Sequence, residues 1–152
     1  ETFIKDGQRT WDQKKEWDQI INNLVKNSTD KIIIVDRYIE KKPGLETFRI
    51  LFEAMRQQNK EDTKILVVIS AINSCSEDYL ENDLNNICIK NGYNIDFKVK
   101  AIGDEHERYL ISEIGGYHSG WGFGSSPYDE TRLTVLDELS HNKWWSKYAT
   151  LI

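Results

Sequence analysis

Hydrophobic positions along the chain follow a helical period in some stretches and an extended one in others. Apolar residues recur every three or four positions in three stretches, which predict amphipathic helices near 12–26, 43–59 and 76–90. Ser76 is a candidate N-cap for the third helix, and Asn91-Gly92 is expected to end it. Two shorter runs, at 31–35 and 65–69, are apolar at nearly every position. Runs of that kind are typical of central parallel strands, which are covered on both faces.

Further strands are predicted towards the carboxyl end of the chain. Residues 95–102 alternate between apolar and polar side chains, and Arg108-Tyr109-Leu110-Ile111 continues this pattern. Gly115-Gly116 favours a tight turn, because glycine accepts a positive φ at no steric cost. Residues 117–123 then predict the second arm of a hairpin, and 132–136 a last strand.

Helices that alternate with strands predict an α/β fold in a single domain. We expect a mixed sheet with helices on both faces, inner strands at 31–35, 65–69 and 95–101, and the hairpin beside them. Residues 1–10 are polar and without a period, which favours a linker, and 11–152 form the domain. Since the chain does not begin with methionine, we expect it to be one domain of a larger protein.

Composition narrows the function classes. The net charge of −5 argues against a nucleic-acid binder that uses its whole surface, although a local basic cleft is compatible with it. Cys75 and Cys88 have neither a disulfide nor a metal-site spacing, which favours buried thiols in a reducing, cytoplasmic setting. No apolar run reaches the roughly 18 residues that a membrane span needs.

Residues 103–126 concentrate the chemistry, with two of the three histidines and six of the nine glycines. His106 and Arg108 are two residues apart, Glu113 lies five residues beyond Arg108, and Gly124-Ser125 follows. This pattern resembles the phospholipase D superfamily, whose motif is His-x-Lys, an acidic residue five positions past the lysine, and a later Gly-Ser.

The departures from that motif point to a subgroup of the superfamily. Arg108 stands in place of the lysine, Gly124-Ser125 lies four residues later than usual, and Pro127 occupies the region where an asparagine is expected. The chain is more similar to the single-copy, degenerate His-x-Arg branch. That branch includes the phospholipase D-like C-terminal domain of microtubule-interacting-and-trafficking proteins. Residues 32–39 fit it too, and the likeness covers roughly 30–140.

The resemblance implies a covalent phosphohistidine mechanism for an active member. His106 is then the nucleophile, Glu113 orients its imidazole, and Arg108 grips phosphate with two hydrogen bonds. A single copy of the motif must dimerise to bring two histidines into one cleft. Because arginine does not replace lysine without rearrangement, we expect a catalytically degenerate module. It binds a phosphate-bearing ligand, either nucleic acid or a lipid head group, or a protein partner. The alternative is a homodimeric phosphodiesterase or nuclease.

The predicted site lies beyond the carboxyl end of strand 31–35, where ligands bind in open α/β sheets. We expect phosphate-binding residues to converge there: Asp36, Arg37, Arg108, Ser125 and Ser126, with His106 beside them. No cofactor is expected, and His106, His118 and Glu113 are too few for a typical zinc site.

The last segment has no clear period. Trp144-Trp145 is expected to pack on the core, with contact to a neighbouring domain as the alternative, and His141 is expected on the surface.

Overall fold

The computed structural model describes residues 8–28, 30–36, 42–71, 76–103, 108–119 and 130–151. These residues form one mixed sheet of seven strands with helices on both faces, as predicted. The strands are β1 (Gln8–Asp12), β2 (Lys31–Val35), β3 (Lys64–Ile69), β4 (Phe97–Ala101), β5 (Tyr109–Ser112), β6 (Gly116–Ser119) and β7 (Glu130–Val135). The helices are α1 (Gln13–Asn27), α2 (Lys42–Gln57), α3 (Glu77–Asn91) and α4 (Glu138–Tyr148), which a short 3-10 turn at Ala149–Leu151 follows.

The sheet has the order β1-β7-β6-β5-β2-β3-β4. β2, β3 and β4 run parallel to one another, and β5 pairs with β2 in the antiparallel sense. The hairpin of β5 and β6 therefore lies directly beside β2, as predicted, and β7 and β1 extend the sheet beyond it.

Two layers of side chains make the core. Ile32, Ile34 and the apolar stripes of α1, α2 and α3 fill the first layer. Ile33 and Val35 point to the other face, where Tyr148 of α4 helps to cover them. Since β2 is buried on both faces, its uninterrupted apolar run follows from its central position.

The prediction that 95–101 is an inner strand is wrong, because β4 is the edge strand of the sheet. Its alternation has a direct physical reason. Val99 is buried under the helices, whereas Lys98 faces solvent. Lysines on an edge strand also discourage pairing with another chain.

The ends of α3 confirm the sequence signals for a start and a stop. The Ser76 hydroxyl accepts a hydrogen bond from the Tyr79 N–H at 3.1 Å, which caps the first turn. Gly92 closes the helix with a φ of 72°, in the left-handed region that glycine adopts easily.

The hairpin turn differs from the prediction. The turn comprises residues 113–115, and Gly116 is already the first residue of β6. Neither Gly115 nor Gly116 is among the glycines with positive φ. Gly116 is instead required for space, since a Cβ there would lie 2.3 Å from the Leu110 carbonyl oxygen and 2.6 Å from the Ile111 Cα.

The two ends of the chain also differ from the prediction. Gln8, Arg9 and Thr10, expected in a linker, belong to β1, which pairs with β7, while residues 1–7 lie outside the described part. The last segment forms a helix, α4, which the sequence analysis did not predict. Half-buried Trp144 and Trp145 pack on the second core layer, as expected.

His141 is a further correction. It is buried rather than on the surface, and its Nε2 lies 2.7 Å from the Ser112 carbonyl oxygen. In the described part of the chain, no helix is both long and apolar enough to cross a membrane.

Candidate functional site

The candidate site lies at the carboxyl edge of the parallel strands, where β2 ends and β5 begins. Val35, the last residue of β2, pairs with Tyr109, the first residue of β5. Val35 and Tyr109 are the last pair of this ladder, and Asp36 and Arg108 are the next residues in the same antiparallel register. Asp36 is held in line with the sheet because its N–H donates to the Val68 carbonyl oxygen at 3.1 Å.

Asp36 and Arg108 point to the same face of the sheet. Their neighbours two residues along, Ile34 and Leu110, both belong to the core layer under α1, α2 and α3. Because strand side chains alternate, Asp36 and Arg108 are directed to that same side. Asp36 is only 1% exposed, while Arg108 is half-buried with its Nε atom enclosed. The edge therefore holds a buried carboxylate beside a cation that still reaches the surface.

The other residues predicted for this edge lie outside the described part of the chain. These are Arg37, His106, Ser125 and Ser126. At this edge, Asp36 and Arg108 are the predicted site residues within the described part of the chain, and they follow Val35 and Tyr109 in the register of β2 and β5.

Glu113 lies at the opposite end of β5. Its carboxylate oxygen Oε1 is 3.4 Å from the Asp30 N–H nitrogen and 3.3 Å from that of Lys31, at the start of β2. Five residues of extended chain separate Glu113 from Arg108, a distance of roughly 16 Å. The structure therefore does not bring Glu113 close to Arg108. In its described contacts, the Glu113 carboxylate accepts hydrogen bonds from backbone N–H groups at the start of β2.

An aromatic cluster that the sequence did not predict lies behind the site, on the α4 face of the sheet. Tyr109 pairs with His118 across β5 and β6, and their rings are 5.1 Å apart. The Trp144 ring lies 4.6 Å from Tyr109 on its other side. His118 is thus a half-buried sheet residue, as its sequence context favours.

Electrostatic interactions elsewhere brace the helices. The Tyr93 hydroxyl donates to Glu53 at 2.7 Å, and this bond is the main reason that the pKa of Glu53 is lowered. Burial raises the pKa of the Cys88 thiol.

An open pocket of about 380 Å³ lies beside Glu53, Tyr93 and Arg49, and none of its lining residues is a predicted site residue. Across the residues that the structure describes, no group of three His, Cys, Asp or Glu side chains is arranged to hold a metal ion.

Comparison with known proteins gives structural likeness only. No family model and no curated protein sequence matches the chain. Among solved structures, the chain is similar to TrmBL2, an archaeal chromatin protein with a novel mode of DNA binding. The TM-score is 0.56 at 9% identity, over 98% of this chain and 51% of that one, so the chain spans about half of TrmBL2.

Two further structures match over most of their own length. NucT from Helicobacter pylori has a TM-score of 0.58 at 10% identity, over 94% of this chain and 93% of that one. Nuc from Salmonella typhimurium, a phospholipase D family member, has a TM-score of 0.53 at 10% identity, over 87% and 86%. The mixed sheet and its flanking helices therefore have the fold seen in this phospholipase D family member.

Proposed function

We propose that this chain is a catalytically degenerate phospholipase D-like module that binds a phosphate-bearing ligand at the carboxyl edge through Arg108. The observation that carries the proposal is the register that sets Arg108 opposite Asp36, beyond the end of β2. A guanidinium is permanently charged and presents a planar set of donors that matches phosphate oxygens. In open α/β sheets, this edge is where ligands bind.

Asp36 has an indirect role in this proposal. A carboxylate repels phosphate, and Asp36 is almost fully buried, so it does not serve as a phosphate ligand itself. It holds the guanidinium of Arg108 in place from the protein side. Arg37, Ser125 and Ser126 supply further donors, and His106 lies beside the bound phosphate.

The comparisons support this function at a coarse level. The chain shares its fold with a phospholipase D family member and with a chromatin protein that binds DNA. The ligand class is therefore a phosphate ester, from a nucleic acid or a lipid head group. From the resemblance of the single His-x-Arg motif, we further propose that the chain belongs to the single-copy degenerate branch and acts as a homodimer within a larger protein.

A second candidate function is a homodimeric phosphodiesterase with His106 as the nucleophile. The likeness to Nuc over 86% of that protein favours it, because the two chains match as whole domains. Arg108 then stabilises charge on the transferring phosphoryl group instead of holding a resting ligand.

The binding function is tested by NMR titration of the folded protein with thymidine monophosphate and with glycerol 3-phosphate. These probes represent the nucleic-acid and lipid sources of the same chemistry. Arg108→Ala is expected to weaken binding by about tenfold or more, since a charge-assisted hydrogen bond contributes about 1.5–3 kcal/mol. Arg49→Ala is the matched control, because Arg49 is an exposed arginine on α2 paired with Glu46. Equal affinities for Arg108→Ala and the unsubstituted protein would contradict the proposal.

Catalysis is tested on bis(p-nitrophenyl) phosphate in the presence of EDTA. No turnover is expected for the module. Turnover that disappears in His106→Ala would overturn the degenerate assignment and favour the phosphodiesterase, and sedimentation then shows whether the active species is a dimer.

A further inference from the structure

The face of the sheet that α4 covers carries lysines on three different elements, of which Lys100 is half-buried and Lys64, Lys98, Lys143 and Lys147 are exposed. Lys98 and Lys100 of β4 pair with Leu66 and Val68 of β3, whose side chains belong to the core layer under α4. Since directly paired residues point to the same face of a sheet, Lys98 and Lys100 are directed to the α4 side. Lys64, two residues before Leu66, is directed there as well and is exposed.

α4 adds two more lysines to this side. Lys143 and Lys147 are exposed and four residues apart, so they lie on one face of the helix. The Nζ atom of Lys143 lies 4.9 Å from the Trp144 ring centroid, and that of Lys147 lies 5.1 Å from it. Both ammonium groups are therefore in cation–π contact with the same indole.

These lysines lie on a chain that is acidic as a whole. The net charge is −5, yet the sequence has no Asp or Glu after Glu138. Among the described carboxylates near β3 and β4, Asp62 and Asp96 precede the two strands, and Glu77 accepts from the Ala101 N–H beside Lys100. The positive charge is therefore least offset on α4, around Lys143 and Lys147.

We propose that these five residues, Lys64, Lys98, Lys100, Lys143 and Lys147, form a surface, here named the lysine face, that binds the phosphate backbone of a nucleic-acid duplex without reading its sequence. Lysines on two neighbouring strands and on a helix on the same side of the sheet are spread over a wide surface, which suits a row of phosphates rather than a single one. Lysine acts as a point charge, which attracts a backbone but does not specify bases.

The lysine face is separate from the phosphate site proposed above. Arg108 is directed to the face under α1, α2 and α3, whereas the lysines lie on the opposite face. A nucleic-acid duplex bound at the lysine face is therefore a second ligand of the protein, and its binding does not depend on Arg108.

The test is fluorescence anisotropy of a labelled 20-base-pair DNA duplex, titrated with the full chain at several salt concentrations. Lys143→Ala/Lys147→Ala is expected to weaken binding about tenfold near 0.1 M salt. It should also make the slope of log K against log salt concentration shallower by about 2, because two phosphate contacts are lost. The matched control is Lys26→Ala/Lys90→Ala, which removes the same charge from exposed positions on α1 and α3. It is expected to bind like the unsubstituted protein.

Three results separate the possible outcomes. Lys98→Ala/Lys100→Ala tests the β4 part of the lysine face independently of α4, and a loss similar to that of the α4 variant supports the proposal. Arg108→Ala is expected to bind the duplex as tightly as the unsubstituted protein. The test of the lysine face therefore stands even if Arg108 does not bind phosphate. Equal losses in the control and α4 variants, or binding to vesicles containing phosphatidylserine without binding to the duplex, would overturn the proposal.

Discussion

Asp36 and Arg108 are the next residues in register beyond the Val35–Tyr109 pair, where β2 leaves the sheet and β5 joins it. The carboxylate is on the buried side of this arrangement, with 1% of its surface exposed, and the arginine is only half-buried. A buried charge is stable only with a compensating partner. In the function proposed above, the Arg108 guanidinium compensates this carboxylate on one side and meets a ligand on the other.

The first prediction is that Asp36 and Arg108 are energetically coupled. In a double-mutant cycle with Asp36→Asn and Arg108→Gln, measured by urea unfolding, we expect a coupling free energy of about 1 kcal/mol or more. The control cycle replaces Arg108→Gln by Arg49→Gln, on exposed α2, and should be additive. Coupling as small as that of the control cycle would show that the two groups do not interact.

The second prediction concerns Glu113, which the superfamily likeness assigns to orienting His106. Because its carboxylate lies close to the Asp30 and Lys31 N–H groups, we expect Glu113→Ala to lower the free energy of unfolding by about 1 kcal/mol. Affinity of the folded variant for thymidine monophosphate should not change. Normal stability with lost ligand affinity would assign Glu113 to the site after all.

The third prediction tests why Gly116 is a glycine. Gly116→Ala places a Cβ against the backbone of Leu110 and Ile111, which cannot move without disturbing β5. We expect a loss of about 1–3 kcal/mol or more in unfolding free energy, from overpacking. Gly92→Ala serves as the comparison, since it meets no atom within 4 Å and has only its φ of 72° to strain it. That variant should lose about 1 kcal/mol. A smaller loss for Gly116→Ala than for Gly92→Ala would contradict the steric explanation.

The elements that the sequence predicted correctly are those with a strong local signal. β2 and β3 were found because strands buried on both faces are apolar at nearly every position. α3 was found because Ser76 and Gly92 mark its ends. The position of β5 beside β2 was predicted as well, since the apolar run of β2 and the alternation of β5 are both visible in the sequence.

The elements that the sequence did not predict depend on contacts between distant residues. β1 exists through its pairing with β7, more than 100 residues away, and its own sequence is polar. α4 buries few of its residues, so its apolar positions do not repeat regularly. His141 is buried because the Ser112 carbonyl, 29 residues earlier in the chain, lies beside its ring. The lysine face depends on the register between β3 and β4, which no single segment reveals.

The last prediction is a pH effect at Glu53, far from the proposed sites. The pKa of Glu53 is lowered chiefly by the hydrogen bond from the Tyr93 hydroxyl, with help from Arg56 and Gln57. We expect Tyr93→Phe to raise this pKa towards its ordinary value, as followed by NMR titration of the carboxyl carbon. Tyr79→Phe, at an exposed position on α3, is the control and should leave the pKa of Glu53 unchanged.

The sign of the accompanying stability change follows from linkage. A carboxyl whose pKa is lower in the folded state stabilises the fold above its unfolded pKa, and this contribution is lost as the pH falls through the folded pKa. The stability difference between the unsubstituted protein and Tyr93→Phe should therefore be largest near neutral pH and shrink in acid. A difference that stays constant down to the acid transition would show that Tyr93 acts through packing against Phe52 and Arg56, which it also contacts, and not through the charge of Glu53.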